Sequence, residues 1–219
     1  MKSGRPRIAV VDYDMGNRRS VEKALERVGA SASITRERHE LEQADALVLP
    51  GVGAFPAGMA NLNRYGLDAL LAELVAAGIP LLGICLGMQL LFDSSTELGE
   101  MTPGLGLIAG EVRTLEAGPL RIPHIGWSEV RFERASPLTS GLPRGSAPFY
   151  HVHSYAAHPA DPGAVVGTAE YGERFATIVA QGSVYGAQFH PEKSSRDGLA
   201  LLASFVDLSR AASPQEIRA

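Results

Sequence analysis

Residues 81–92 constrain the fold of this chain more strongly than any other segment. They read LLGICLGMQLLF: a short apolar run, then Gly-x-Cys-x-Gly, then apolar residues at helical spacing. A strand that delivers one residue to a sharp turn in front of a helix has this pattern, because small neighbours leave room for the exposed side chain. Cys85, the only cysteine of the chain, occupies the turn. The segment therefore predicts a nucleophile elbow with Cys85 as the candidate nucleophile.

Two other interpretations of this segment are weaker. A free cysteine is often a small buried apolar residue, but such a residue does not need Gly83 and Gly87 on either side of it. The uncharged residues 76–92 also resemble a membrane span. They are shorter than the roughly 20 residues that a span requires, and glycine and proline interrupt them. We therefore expect no transmembrane segment.

The overall composition is that of a globular enzyme or binding protein. A net charge of −4 gives no sign of binding to nucleic acid or to an anionic membrane. One cysteine excludes an intramolecular disulfide, and the basic residues 1–7 are not followed by the apolar run of a secretory signal. We expect a cytoplasmic protein, because a working thiol stays reduced there.

The first half of the chain alternates strand and helix patterns, which predicts a parallel sheet covered on both faces. Short apolar strands are predicted at residues 8–12, 31–35, 46–49 and 80–84, and helices at about 21–28 and 55–77. The second half predicts antiparallel strands at residues 111–115, 128–132, 149–153, 164–169, 175–181 and 184–189, then a helix at about 195–211. We expect one domain over 1–219, with a core at about 7–210 and flexible tails at 1–6 and 212–219.

Three segments follow predicted strands at one edge of the sheet, where functional groups collect in open α/β folds. The first is the elbow at Cys85. The second is the turn Gly51-Val52-Gly53, which lacks the third glycine of a dinucleotide site because position 56 is proline. Its backbone N–H groups can instead bind an oxyanion together with the N–H of Leu86.

The third segment contains His190 and Glu192. Residues two apart in an extended chain point the same way, so these two side chains are expected to lie together. Cysteine, histidine and carboxylate suffice for acyl transfer: the thiolate attacks, the imidazole moves the proton, and the carboxylate orients the ring. His151 and His153 alternate on a predicted strand, but no cysteine or carboxylate stands at ligand spacing, so we expect no metal site. Spacing favours His190 over His153 as the base.

Six sequence motifs together resemble those of a known enzyme family. GICLGMQ at residues 83–89 and QFHPE at 188–192 are similar to motifs of the class I (triad) glutamine amidotransferases. DYDMGN at 12–17, PGVGAF at 50–55, PHIGW at 123–127 and HSY at 153–155 resemble the HisH-type glutaminase subunits of imidazole glycerol phosphate synthase. The resemblance extends from about residue 8 to residue 208.

The resemblance implies a three-layer, flavodoxin-like class I glutamine amidotransferase fold, with a central mixed, mostly parallel sheet and helices on both faces. It implies hydrolysis of glutamine through a Cys85 thioester, with His190 as acid and base, Glu192 as its orienting group, and no cofactor. Leu86 and the turn Gly51-Val52-Gly53 would form the oxyanion hole, after a peptide flip in that turn. The implied substrate-binding residues are Gln89, Glu97, Ser154 and Tyr155.

The same resemblance implies a partner. A (β/α)8-barrel cyclase subunit would receive the ammonia in a heterodimer and make imidazole glycerol phosphate and aminoimidazole carboxamide ribotide for histidine biosynthesis. Asn17, Trp127 and Lys193 match interface positions of the family. The chain departs from the family at Asp14, Ser128 and His151, where glycine, asparagine and phenylalanine are usual, and in its extension before Arg7.

Other functions use the same catalytic groups. The chain could be the glutaminase subunit of another triad amidotransferase, which its genomic partner would reveal. It could be a stand-alone γ-glutamyl-type cysteine hydrolase, which would be active without any partner. A non-catalytic subunit is disfavoured because Cys85, His190 and Glu192 are all present.

Overall fold

The computed structural model describes residues 4–211. The strands are β1 Arg7–Val11, β2 Ser31–Thr35, β3 Ala46–Gly51, β4 Leu81–Cys85, β5 Phe92–Ser95, β6 Thr102–Pro103, β7 Ile108–Thr114, β8 His124–Phe132, β9 Ser146–His153, β10 Tyr155–Pro159, β11 Val165–Tyr171, β12 Glu173–Gln181 and β13 Val184–Ala187. The α-helices are α1 Arg18–Arg27, α2 Arg38–Glu42, α3 Phe55–Arg64, α4 Leu67–Ala76, α5 Leu86–Gln89 and α6 Ser195–Ala211.

The strands form one sheet whose centre is parallel. Strands β2, β1, β3, β4 and β13 lie side by side in parallel, and β12 then pairs with β13 in the antiparallel sense. The sheet branches at β12, which also pairs with β10 and β11. The predicted fold class, a parallel core to which the second half adds antiparallel strands, is confirmed.

Alternation along the central strands creates two hydrophobic cores. In β1, Ile8 and Val10 point into the core beneath α1 and α6, whereas Ala9 and Val11 point into the core beneath α3 and α4. Successive side chains of a strand point to opposite faces, and helices cover both faces, so the strand is apolar throughout. This arrangement gives the three layers that the sequence predicted.

Several elements differ from their predicted bounds. The helix predicted over 55–77 is two helices, because Gly66 adopts a left-handed conformation with φ +64° between α3 and α4. The helix behind the elbow is only the four residues of α5, after which the chain returns to the sheet as β5. Strands β5, β6 and β10 were not predicted, and the strand predicted over 184–189 ends at Ala187.

The structure describes only part of the two predicted tails. Residues 1–3 and 212–219, where tails are predicted, lie outside the described part of the chain. The Pro6 carbonyl accepts a hydrogen bond of 2.8 Å from the N–H of Ser31, so backbone pairing begins just before β1. Within residues 4–211, no helix is both long enough and apolar enough to cross a membrane.

Two glycines allow the elbow to form. A Cβ atom at Gly87 would overlap the carbonyl oxygen of Leu49, so the backbone of α5 lies directly against β3. A Cβ at Gly83 would lie 2.7 Å from the Cα of Met88, so α5 also presses against β4. The small residues around Cys85 therefore serve backbone contact between the helix and two strands.

We expect Gly87→Ala to cost at least about 3 kcal/mol of unfolding free energy, because the methyl group meets rigid backbone that cannot move aside. Gly66→Ala is the control: no atom lies within 4 Å of its Cβ position, so it should cost only the roughly 1–2 kcal/mol of a left-handed conformation. Urea unfolding followed by circular dichroism gives both values. Equal losses in the two variants would contradict this packing argument.

Candidate active site

Cys85 occupies a strained backbone position at the end of β4. Its φ of +54° and ψ of −113° lie outside the regions that residues other than glycine normally adopt. The side chain is buried, and its Sγ lies 3.8 Å from the carbonyl oxygen of Val152. The strain places the thiol at the start of α5, as the elbow pattern predicted.

His190 and Glu192 lie together next to Cys85. The Nδ1 atom of His190 is 2.9 Å from Oε1 of Glu192, and both side chains are almost wholly buried. The segment is not extended as expected: Pro191–Lys193 forms a 3-10 turn with His190 at its start. The pairing was thus predicted correctly, but the turn, not strand alternation, brings the two side chains together.

The environment of His190 favours its charged form. Burial lowers its pKa, but hydrogen bonds with Cys85 and Glu192 and their negative charges outweigh burial and raise the pKa to about 9. His190 is therefore an imidazolium at neutral pH. Glu192 uses Nδ1, so Nε2 is the ring nitrogen available to the thiol and to substrate.

A cavity of about 300 Å³ opens above Cys85. Its lining includes Cys85, Leu86, His190, the turn residues Val52 and Gly53, the four predicted substrate residues Gln89, Glu97, Ser154 and Tyr155, and the predicted interface residue Lys193. Glu192 lies behind His190, while Asn17 and Trp127 lie outside the cavity. The structure thus brings the predicted catalytic and substrate residues into one place.

Two of the substrate candidates already have protein partners. One carboxylate oxygen of Glu97 accepts a hydrogen bond of 2.7 Å from the N–H of Phe55 at the start of α3. The side-chain N–H₂ of Gln89 donates to the carbonyl oxygen of Tyr155 and to the side chain of Gln188, each at 3.0 Å. These contacts hold both side chains at the cavity wall before any ligand binds.

Gln188 is a site residue that the sequence reasoning missed. It is fully buried, and its amide nitrogen lies 3.9 Å from Sγ of Cys85. Its amide oxygen accepts the hydrogen bond from Gln89, which orients the amide so that an N–H faces the sulfur. Its place in the QFHPE motif was a possible signal, but only the fold shows that its side chain lies against Cys85.

Exposed apolar side chains surround one side of the cavity. We call Val52, Ile122, Ile125 and Trp127 the apolar rim; each is between 42% and 60% exposed. Val52 lines the cavity, and Ile122 precedes Pro123, which also lines it. The Trp127 ring lies 6.0 Å from that of Tyr150, whose carbonyl accepts a 3.0 Å hydrogen bond from the N–H of His190. Exposed apolar side chains beside a cavity make this side of the molecule a candidate interaction surface.

Asp14, which stands where glycine is usual in the DYDMGN motif, is explained by its backbone conformation and its contacts. Asp14 adopts φ +62°, which aspartate tolerates better than most residues. Its carboxylate accepts a hydrogen bond from Arg36 at 2.6 Å and another from the hydroxyl of Tyr65. These contacts anchor the loop that leads to Asn17, which is exposed at the start of α1.

Of the other two departures, His151 is part of a buried histidine cluster of His124, His151 and His153, and Ser128 contacts that cluster. Their ring centroids lie 5.1 to 5.5 Å apart. His151 hydrogen-bonds with the hydroxyl of Thr177 at 2.8 Å, and Ser128 hydrogen-bonds with His124 at 2.9 Å. Burial lowers the pKa of all three, to about 3 for His153. Within residues 4–211, no three ligand-type side chains are grouped to hold a metal.

Residues 9–208 match the protein family described as glutamine amidotransferase class-I. Two relatives named imidazole glycerol phosphate synthase subunit HisH are similar along nearly their whole length. The one from Moorella thermoacetica is 50% identical and is aligned over 93% of this chain and 95% of its own. The one from Geobacillus kaustophilus is 46% identical, over 92% and 97%.

The chain belongs to the HisH branch of the class-I glutamine amidotransferases. Solved structures agree on the fold. The structure of PurLQS from Thermotoga maritima is similar with a TM-score of 0.75 at 23% identity, covering 93% of this chain and 99% of that one. A structure titled glutamine amidotransferase gives a TM-score of 0.72 at 23% identity, covering 92% and 98%. This HisH-branch chain therefore has the expected fold.

We expect His151→Phe to flatten the loss of stability in acid. A histidine held neutral in the folded state binds its proton only on unfolding, so its stabilising effect is present above pH 6.5 and is lost as pH falls. Each such residue contributes at most about 1.4 kcal/mol per pH unit. His190, with its raised pKa, has the opposite effect: its stabilising contribution is fully present well below pH 6.5 and is lost as pH rises towards about 9, and it is the same in both proteins.

The measurement is the unfolding free energy at several values between pH 5 and 6.5. The slope should decrease by up to about 1.4 kcal/mol per pH unit in His151→Phe. His39→Phe is the control, because His39 is exposed and contacts none of the cluster. An unchanged slope in His151→Phe would show that the cluster does not set the acid sensitivity.

Proposed function

We propose that this chain hydrolyses glutamine to glutamate and ammonia through a thioester on Cys85. The observation that carries the proposal is the juxtaposition of a strained cysteine with a His190–Glu192 pair 2.9 Å apart, at the base of a cavity of about 300 Å³. The class-I amidotransferase family to which the chain belongs supports glutamine as the substrate.

The reaction proceeds in two halves. The Cys85 thiolate attacks the carboxamide carbon and forms a C–S bond. His190 then gives its Nε2 proton to the departing nitrogen, and the C–N bond breaks. Ammonia is released, and a thioester remains on Cys85. Water then attacks the thioester while His190 takes up its proton. The C–S bond breaks, which releases glutamate and restores the thiolate and the imidazolium. Glu192 keeps the ring in the required orientation.

Two backbone donors stabilise the oxyanion of each half-reaction. Leu86 is the first residue of α5 and lines the cavity, as do Val52 and Gly53 of the turn Gly51-Val52-Gly53, which supports their backbone N–H groups as the donors. Gly53 adopts φ +102°, and glycine on both sides of Val52 leaves the turn free to reorient its peptides. Such donors are worth roughly 10²–10³ in rate each.

Charge and hydrogen bonding position the substrate. The carboxylate of Glu97 suits the α-ammonium group of glutamine, and backbone amides near Ser154 and Tyr155 suit its carboxylate. Gln89 lines the same cavity and donates a hydrogen bond of 3.0 Å to the carbonyl oxygen of Tyr155. These four residues accordingly select a free amino acid rather than a peptide-linked carboxamide.

The ammonia passes to a partner rather than to water. The relatives are named as subunits of imidazole glycerol phosphate synthase, and the apolar rim beside the cavity offers a surface for a second subunit. We infer a heterodimer with the (β/α)8-barrel cyclase subunit, in which Asn17, Trp127 and Lys193 lie at the interface. The barrel uses ammonia to make imidazole glycerol phosphate and aminoimidazole carboxamide ribotide in histidine biosynthesis. A working thiol stays reduced in the cytoplasm, which supports a cytoplasmic location for this reaction.

The test of this function is ammonia release from glutamine by the chain alone and with the barrel subunit and its nucleotide ligand. Strong stimulation in the full mixture supports the proposal. Full activity without the partner would assign the chain to the stand-alone cysteine hydrolases instead.

We expect Cys85→Ala to reduce glutamine-dependent ammonia release by roughly 10⁴-fold or more, since no other nucleophile can form the thioester. The complex should still carry out the synthase reaction when free ammonia is supplied, because the barrel subunit performs that step. Retained glutamine hydrolysis would refute the mechanism. Loss of the ammonia-dependent reaction in a folded complex would mean that Cys85 has another task.

We expect Trp127→Ala to weaken the complex by roughly 30-fold, because exposed tryptophans at the centre of an interface carry much of its energy. The unfolding free energy of the isolated chain should change by less than about 1 kcal/mol, since the side chain is 53% exposed. Titration of the barrel subunit and thermal melting measure the two effects. Met101→Ala, at 76% exposure and outside the apolar rim, is the control. A large drop in melting temperature with normal complex formation would contradict the interface role.

A further inference from the structure

Tyr13 is a buried polar residue that the mechanism above leaves without a task. It follows β1 and has no exposed surface, and its hydroxyl has no hydrogen-bond partner among the described residues. Burying an unpaired hydroxyl is unfavourable, whereas phenylalanine would fill the same space without that cost. The hydroxyl therefore calls for a partner in another state of the site.

The hydroxyl lies where the two halves of the oxyanion hole meet. A Cβ atom added to Gly51 would overlap the Tyr13 oxygen. The same Cβ would lie 2.9 Å from the Cβ of Leu86 and 3.0 Å from the backbone nitrogen of Gly87. Tyr13 thus contacts Gly51 from the protein interior, directly beside the start of α5. Gly51 is the first residue of the turn Gly51-Val52-Gly53, which we call the oxyanion turn.

A rotation of one peptide would give this hydroxyl an acceptor. The Gly51 carbonyl carbon is bonded to the Cα that the hydroxyl contacts, so turning the peptide carries its oxygen past Tyr13. In a trans peptide the C=O and N–H bonds point in opposite directions. When the Gly51 oxygen points inward at Tyr13, the N–H of Val52 points outward, and Val52 lines the cavity of Cys85.

We propose that Tyr13 is a positioning residue for the oxyanion turn: its O–H donates to the Gly51 carbonyl and so fixes the Val52 N–H towards the oxyanion. The inference rests on the proposed glutaminase function. Burial, assisted by the charge of Cys85, raises the pKa of Tyr13 well above its usual range. The phenol therefore remains a neutral donor throughout the pH range in which the enzyme works.

The same loop connects the turn to the partner side of the molecule. A Cβ at Gly16 would lie 3.2 Å from the Cα of Gly51, and one at Gly53 would lie 3.1 Å from Cε of Met15. Asn17, the proposed interface residue, follows directly. Binding of the barrel subunit at Asn17 can thus act on the turn through Met15 and Gly16. Because the Tyr13 hydroxyl would hold the reoriented turn, it should matter most for activity that the partner stimulates.

The test is Tyr13→Phe in complex with the barrel subunit and its nucleotide ligand. We expect the stimulated kcat for glutamine hydrolysis to fall about 10-fold, less than for loss of a direct oxyanion donor. The KM for glutamine and the affinity for the partner should stay at their wild-type values. The melting temperature should stay the same or rise. Tyr185→Phe is the matched control: it is also buried, but it packs against Phe205 away from the cavity.

A stimulated kcat within twofold of wild type would overturn the proposal, because the hydroxyl would then be merely tolerated. A lower kcat accompanied by lost partner binding or a lower melting temperature would also overturn it, since Tyr13 would then be a packing residue. Wild-type ammonia release in the same assay reports on the proposed function separately, because Tyr13→Phe leaves Cys85, His190 and Glu192 intact.

Discussion

The rest of the structure depends on one close contact between backbones. The start of α5 lies against β3 and β4 more closely than any side chain at Gly83 or Gly87 would allow. This contact turns the chain sharply at Cys85 and forces that residue to a positive φ. It also brings Leu86 and the turn that follows β3 to the cavity of Cys85, so that the proposed oxyanion donors and the proposed nucleophile share one cavity.

Electrostatic surroundings distinguish the histidines of this protein, since burial alone does not. His190 and the three histidines of the cluster are all buried. His190 has a carboxylate and a thiol as neighbours, and its pKa rises to about 9. His153 has a backbone carbonyl and other histidines, and its pKa falls to about 3. Hydrogen bonding and charge from Cys85, and then from Glu192, are therefore what raises the pKa of His190, whereas His153 remains a neutral packing group.

Local patterns predicted the parallel half of the fold, the elbow at Cys85 and the pairing of His190 with Glu192, because elbow glycines and short apolar runs are signals within a few residues. The substrate candidates came only from the resemblance to the amidotransferase family. The break at Gly66 was missed, since helical spacing continues across it and only a positive φ marks the boundary. Phe92 was assigned to a helix although it begins β5, because a short apolar run fits both the helical period of 3.6 residues and the strand period of two. Gln188 and Tyr13 were missed for another reason: their importance comes from contacts with Cys85 and Gly51, which are distant in sequence.

Hydrogen bonds and strand pairing fix both ends of the oxyanion turn. At its start, Gly51 pairs with Cys85 across two parallel strands. At its end, the N–H of Phe55 is held by Glu97 at 2.7 Å. A segment this short between two fixed points cannot swing open as a lid; it can only turn its own peptides. Switching the site therefore involves no search by a long loop, and rearrangement of the turn belongs among the fast, local motions of the chain rather than among its slow collective ones.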